Sequence, residues 1–181
     1  KKIPPYSYLL AAAGNYDDAV LRNLIHGLKY QYLKNSASLL SELIFRYLKN
    51  LPLPFVKNQK SAVNGQWLII PIPLHSSRER QRGFNQSILI AEFIAKKFNL
   101  PLIEMLKRIK NNKPQVGLKG NEERIENVKN CFAIQNPKLI EKKNILLIDD
   151  VFTSGATMNE AVKILKQNGA RRIIALVLAK A

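Results

Sequence analysis

The chain reads as an α/β protein, a parallel sheet of about five strands with helices on both faces. Three observations carry that reading. From Trp67 onward the signals alternate between strand, turn and helix. Ile145–Ile148 is an unbroken apolar run, the pattern of a strand buried on both sides. Directly after it stand Asp149 and Asp150, then Thr153-Ser154-Gly155-Ala156-Thr157. Polar chemistry thus falls at the carboxyl end of a strand, where open α/β sheets bind their ligands.

The elements follow in order. The N-terminal third is expected to be helical. Val20, Leu21, Leu24, Ile25 and Leu28 recur at helical spacing after Asp17-Asp18, which suit a helix start. Leu39, Leu40, Leu43, Ile44, Tyr47 and Leu48 make a second stripe. His26 is expected on a helix surface rather than as a ligand. Residues 50–66, with Pro52, Pro54, Asn64 and Gly65, read as a connecting loop. Trp67–Ile70 predicts a buried strand. Asn85 is placed to cap a helix through Phe98, with Ile88, Ala91, Ala95 and Phe98 inward. Leu102–Ile109 and Cys131–Ile134 are weaker strand candidates. Residues 110–130 form a long polar connection with two glycines, and loops of that length are commonly functional or disordered. A last helix should run from about Ala156 to the C-cap pair Asn168-Gly169, and Ile173–Leu178 closes the set.

Composition narrows the class. The 181 residues suffice for one well-cored domain, and 46% hydrophobic content is ordinary for a globular protein. No apolar run approaches the ~18 residues of a membrane span. The single cysteine, Cys131, excludes an internal disulfide and a cysteine-rich zinc site within these residues. With no secretory signal in view, a cytoplasmic protein is the default expectation. Twenty-nine Lys and Arg against 13 Asp and Glu give a net charge of +16. A polyphosphate ligand uses a few local cations, so the surplus points to nucleic acid or to a lysine-rich solvated surface.

The segment after the central strand has its own chemistry. Small hydroxyl and glycine residues leading into a helix offer backbone N–H groups to an anion, most naturally a phosphate. Two carboxylates beside such a cradle would repel the ligand unless they grip something neutral, such as ribose hydroxyls. The ligand implied is a sugar phosphate. An acidic pair holding Mg²⁺, or one that merely caps a helix, is the competing reading. Upstream, Pro71 and Pro73 stiffen the turn after the first strand, and Arg78, Arg80 and Arg82 follow within a few residues. Guanidinium forks suit phosphate oxygens, while the bland alternative is a solvated arginine-rich turn.

Residues 145–157 resemble the 5-phosphoribosyl-1-pyrophosphate (PRPP) signature of type I phosphoribosyltransferases. The resemblance implies a type I phosphoribosyltransferase-like parallel sheet with a small N-terminal helical segment. It assigns residues 1–60 to a helical hood and 61–181 to a PRPP-binding core. Asp149 and Asp150 would contact the ribose 2′- and 3′-hydroxyls. Thr153, Ser154, Gly155, Ala156 and Thr157 would wrap the 5′-phosphate. The stretch with Pro73, Leu74, Arg78 and Arg82 takes the position of the pyrophosphate loop. Residues 110–130 take that of the flexible catalytic loop, with Lys113, Lys119 and Arg124 as cations for the leaving group; Lys113 and Arg124 are the candidate catalytic pair. Mg²⁺ would accompany PRPP, and no protein metal ligands are expected.

Further motifs narrow the resemblance to the ComF family of competence-associated proteins. They are Pro-x-Pro-Leu-His with Arg78-x-x-x-Arg82-Gly-Phe-Asn-Gln86, Gln115-x-x-Leu118, Arg124-x-x-Asn127-Val128, and Leu21-Arg22-x-Leu24-Ile25-x-x-Leu28-Lys29-Tyr30. Membership would imply a role in natural transformation, with single-stranded DNA and competence-machinery proteins as partners. Arg80, Lys107, Arg108, Lys110 and Lys119 are the first candidates for nucleic-acid contact. The four-cysteine zinc finger found in many members is not within this chain. Three readings stand: a PRPP-binding protein that handles single-stranded DNA, an active phosphoribosyltransferase, and a PRPP-sensing regulator without catalysis.

Overall fold

The computed structural model describes residues 7–30, 35–53, 67–112 and 120–181. Its centre is a parallel sheet of four strands in the order β1-β6-β5-β2. These are β1 (Leu9–Asn15), β2 (Trp67–Pro71), β5 (Asn144–Phe152) and β6 (Arg172–Lys180). A fifth position is rudimentary: Leu102 bridges Ile69 in parallel, with Ile69 N–H donating to Pro101 O and Ile103 N–H to Ile69 O. The rest of the Leu102–Ile109 expectation resolves into β3 (Leu106–Arg108). It pairs antiparallel with β4 (Phe132–Ile134), apart from the main sheet.

Period-two alternation in the central strands divides the core between two faces. Leu146 and Ile148 of β5, with Ile174, Leu176 and Leu178 of β6, pack on one side. There they meet α1 (Ala19–Tyr30), α2 (Asn35–Lys49) and α4 (Gln86–Phe98). Ile145 and Leu147, with Ile173, Ala175 and Val177, face α6 (Ala156–Gln167) and the β3–β4 ribbon. Every residue from Asn144 to Ile148 is buried, which is why this strand shows in the sequence as a continuous apolar run.

The N-terminal third is not wholly helical, as the sequence had suggested. Leu9–Asn15 is an edge strand paired with β6, so the sheet includes a strand from before the expected boundary near residue 60. Alanine favours helices, but here tertiary contact decides. The small side chains from Ala11 to Gly14 let α1 approach closely: a Cβ on Gly14 would lie 2.5 Å from Leu21 Cδ2. Asp18 starts α1 by accepting from the N–H groups of Val20 and Leu21. The stripes also narrow. Leu21, Ile25 and Leu28 are buried on α1, and Leu40, Ile44 and Leu48 on α2, while Val20, Leu39 and Leu43 are exposed.

Asn85 caps α4 as expected, accepting from Ser87 N–H at 3.0 Å. Its buried face is Gln86, Ser87, Ile90, Ala91 and Ile94, so Ala91 holds while Ile88, Ala95 and Phe98 are only partly buried. Residues 110–130 are not one open connection, because Asn121–Val128 forms a helix, α5. The arginine-rich turn is likewise a short helix, α3 (Ser76–Arg82). His75 caps it through Ser77 N–H, and Gly83 ends it at φ 76°. Among the described residues no helix is long and apolar enough to cross a membrane.

Candidate functional site

The carboxyl end of β5 carries Asp149 and Asp150 into a cleft of about 750 Å³. On the α1 side its lining includes Tyr16, His26, Lys29 and Tyr30; on the α3 side, Pro73, Leu74, Arg78 and Arg82. Arg108, Arg124, Thr153 and Thr157 complete the wall around the acids. The structure therefore brings together the acid pair, part of the hydroxyl loop and both arginines expected at a pyrophosphate.

The two acids differ. Asp150 is buried, with its oxygens occupied by Lys29 Nζ at 2.7 Å and by Gln86, whose Nε2 donates at 2.5 Å. Burial works against the Lys29 ammonium, yet the charge of Asp150 and their hydrogen bond outweigh it and raise the lysine pKa. Asp149 Oδ1 accepts from the Asp150 N–H at 2.9 Å and from Ser87 Oγ at 3.2 Å. Burial, and then the negative charge of Asp150, push Asp149 up to about 7.

Beyond β5 the chain turns through Thr153-Ser154 into Gly155, which is left-handed at φ 76°. Ala156 N–H donates to Ser154 Oγ at 3.4 Å, and Asn159 N–H reaches Gly155 O as α6 begins. Asp149, Thr153, Gly155, Ala156 and Thr157 line a small hollow of about 20 Å³ here. A helix N-terminus entered through a glycine presents N–H groups and positive dipole to an anion. Glycine is required at 155 by its positive φ, and because a Cβ there would lie 2.6 Å from Phe152 Cζ.

Arg78 donates to the main-chain oxygen of Asn112, and Arg108 donates twice to Asn112 Oδ1 at 3.3 Å. Arg82 donates to Gln86 Oε1 at 3.0 Å and lies 5.4 Å from the Tyr30 ring centroid. Burial, then the neighbouring Arg108 and Arg82, lower the pKa of Arg78. Guanidinium groups gathered against mutual repulsion suit a polyanion, which would relieve it.

The remaining sequence-stated residues separate. Arg80, Lys107 and Lys110 are exposed. Arg108, expected to contact nucleic acid, is half-buried and lines the cleft. Lys113 and Lys119 lie outside the described residues, as do Gln115 and Leu118. Lys29, Gln86 and Ser87 had been given no role. Lys29 and Gln86 were marked only as members of the Leu28-Lys29-Tyr30 and Asn85-Gln86 motifs, and Ser87 lay outside both. Among the described residues no group of three or more His, Cys, Asp and Glu side chains is placed to hold a metal. With Lys29 already on Asp150, the acid pair is a poor cation site.

The chain is similar to known proteins along most of its length. Residues 85–181 match the phosphoribosyl transferase domain. The chain is 36% identical over 115 residues to Competence protein F of Haemophilus influenzae, covering 62% of this chain and 50% of that protein. It is 36% identical over 103 residues to Competence protein ComFC of Bacillus subtilis, covering 57% and 40%. These matches span half or less of both relatives. With DNA utilization protein YhgH of Shigella flexneri the identity is 30% over 180 residues, covering 96% of this chain and 72% of that protein. A domain match over more than half of its length, and a relative aligned along nearly all of it, make this chain a member of the ComF family of phosphoribosyltransferase-like proteins.

Proposed function

We propose that this chain binds PRPP at the carboxyl edge of its sheet and acts in competence and DNA uptake by handling single-stranded DNA. One observation carries the ligand assignment: a single cleft joins the acid pair, Thr153 and Thr157, and the arginines of α3. Ribose hydroxyls would donate to Asp149 and Asp150, and the 5′-phosphate would sit on the 153–157 turn. The pyrophosphate would fall to Arg78, Arg82 and Arg108. Mg²⁺ would arrive on that pyrophosphate as part of the substrate. The cleft volume lies inside the roughly 300–1,000 Å³ of small-molecule sites.

The DNA-handling part rests on the names of the relatives and on the +16 charge, of which the cleft uses only a fraction. Arg80, Lys107 and Lys110 are exposed cations able to meet phosphates without sequence preference. Titration of a fluorescent single-stranded oligonucleotide against salt tests this. About five phosphate contacts give a log–log slope near −3.5. A slope near zero, or no binding at ~50 mM salt, removes the nucleic-acid partner.

A second reading has its own support. Tyr16, His26 and Tyr30 line the cleft next to the acids, with the His26 and Tyr30 rings 4.7 Å apart. A planar acceptor could stack there and attack the anomeric carbon, expelling pyrophosphate toward Arg78 and Arg124. Pyrophosphate release on mixing PRPP, Mg²⁺ and planar acceptors would establish a transferase. PRPP binding without release leaves the non-catalytic reading, including a PRPP-sensing regulator.

A further inference from the structure

We propose that Lys29 is a positioning residue of the ribose subsite, acting through Asp150 rather than on the ligand's phosphates. The proposal rests on the reading that the acid pair holds a ribose diol. Lys29 lies in the last turn of α1, far in sequence from β5, yet its Nζ sits 2.7 Å from Asp150 Oδ1 with the lysine side chain 19% exposed and the aspartate's 7%. It is one link in a closed ring of contacts. Asp150 accepts from Gln86 of α4, Gln86 accepts from Arg82 of α3, and Arg82 stacks on Tyr30, the neighbour of Lys29. The N-terminal helix is thereby tied to both the acid pair and the arginine helix.

Holding α1 to the sheet does not require this pair. Leu21, Ile25 and Leu28 already bury that helix in the core. A buried ion pair adds little net stability over apolar packing, because desolvation offsets most of the attraction. What the ammonium does supply is a local counter-charge. It sits against Oδ1 of the buried Asp150, so the adjacent acid pair meets an anionic ligand with a cation beside it. A carboxylate has about four acceptor positions, so with Lys29 and Gln86 in place Asp150 still has capacity for a hydroxyl donor. The lysine and Gln86 together fix where that capacity points.

Lys29 should therefore matter for ligands that contain ribose and much less for those that do not. Calorimetry with ribose 5-phosphate and, separately, inorganic pyrophosphate plus Mg²⁺ separates the cases. Lys29→Met and Lys29→Gln, each checked for native circular dichroism, should weaken ribose 5-phosphate by about tenfold or more and pyrophosphate by less than about threefold. Lys29→Arg, which keeps the charge, should recover most of the loss. In an Asp150→Asn background, Lys29→Met should have little further effect, since the partner it acts through is gone. Equal weakening of both ligands makes Lys29 an ordinary anion contact and overturns the proposal. So does an unchanged affinity for ribose 5-phosphate, or an effect that simply adds to that of Asp150→Asn. Wild-type protein that binds neither ligand removes the ribose-phosphate reading itself, and the proposal with it.

Discussion

Replacing Asp149 by Asn should make the protein more stable at neutral and alkaline pH, and the gain should vanish in acid. Burial and the adjacent Asp150 raise the Asp149 pKa from 3.8 to about 7. Between those values the native protein holds a proton that the unfolded chain has released. Stability linked to this group is therefore full below pH 4 and is lost as pH rises through about 7. At ~1.4 kcal/mol per pH unit the span is worth roughly 4 kcal/mol. Asp149 lines an open cleft, and water there screens part of that cost, leaving about 2 kcal/mol. Asn keeps an oxygen in the place of Oδ1, so the bonds from Asp150 N–H and Ser87 Oγ survive while the charge is removed. Urea unfolding of both proteins at about pH 4.5, 6 and 8 measures the difference. It should be small at the first, intermediate at the second and largest at the third. A difference that does not change with pH, or an Asn variant less stable at about pH 8, would refute the reasoning.

Two further substitutions test the site from other directions. Gly155→Val places a branched side chain at φ 76° against the Phe152 ring, so it should cost about 1–3 kcal/mol in thermal unfolding and abolish phosphate binding; an unchanged Tm with intact binding would contradict both effects. Arg108→Ala should weaken pyrophosphate binding by about tenfold while leaving the oligonucleotide salt slope as it was, because Arg108 lines the cleft. The opposite pattern would return Arg108 to the nucleic-acid surface.

The central strands were legible because strands buried on both faces must be continuously apolar, and Trp67–Ile70, Ile145–Ile148 and Ile173–Leu178 are. The acid pair and hydroxyl loop were legible for a related reason: polar residues stop such a run only where the strand leaves the core. β1 was hidden because an alanine-rich edge strand carries a helix-favouring composition and is chosen by its contacts with β6 and α1. α3 was hidden because its polar residues have no apolar stripe, and its ends are set by His75 and Gly83. Lys29 and Gln86 could be seen as parts of motifs but not as partners of Asp150. Their meeting depends on α1 and α4 packing on the same face of the sheet. That Arg108 lines the cleft could not be read from the sequence, because its neighbours Lys107 and Lys110 are exposed and only the path of β3 turns it inward.

The central claim is that one cleft holds the whole of PRPP, and a crystal structure with PRPP and Mg²⁺ bound tests it most directly. The 5′-phosphate should lie on the N–H groups of residues 153–157, with the ribose hydroxyls on Asp149 and Asp150. The pyrophosphate and its Mg²⁺ should lie among Arg78, Arg82 and Arg108. A ligand bound elsewhere, or one whose ribose avoids both acids while Lys29 stays on Asp150, would contradict the account.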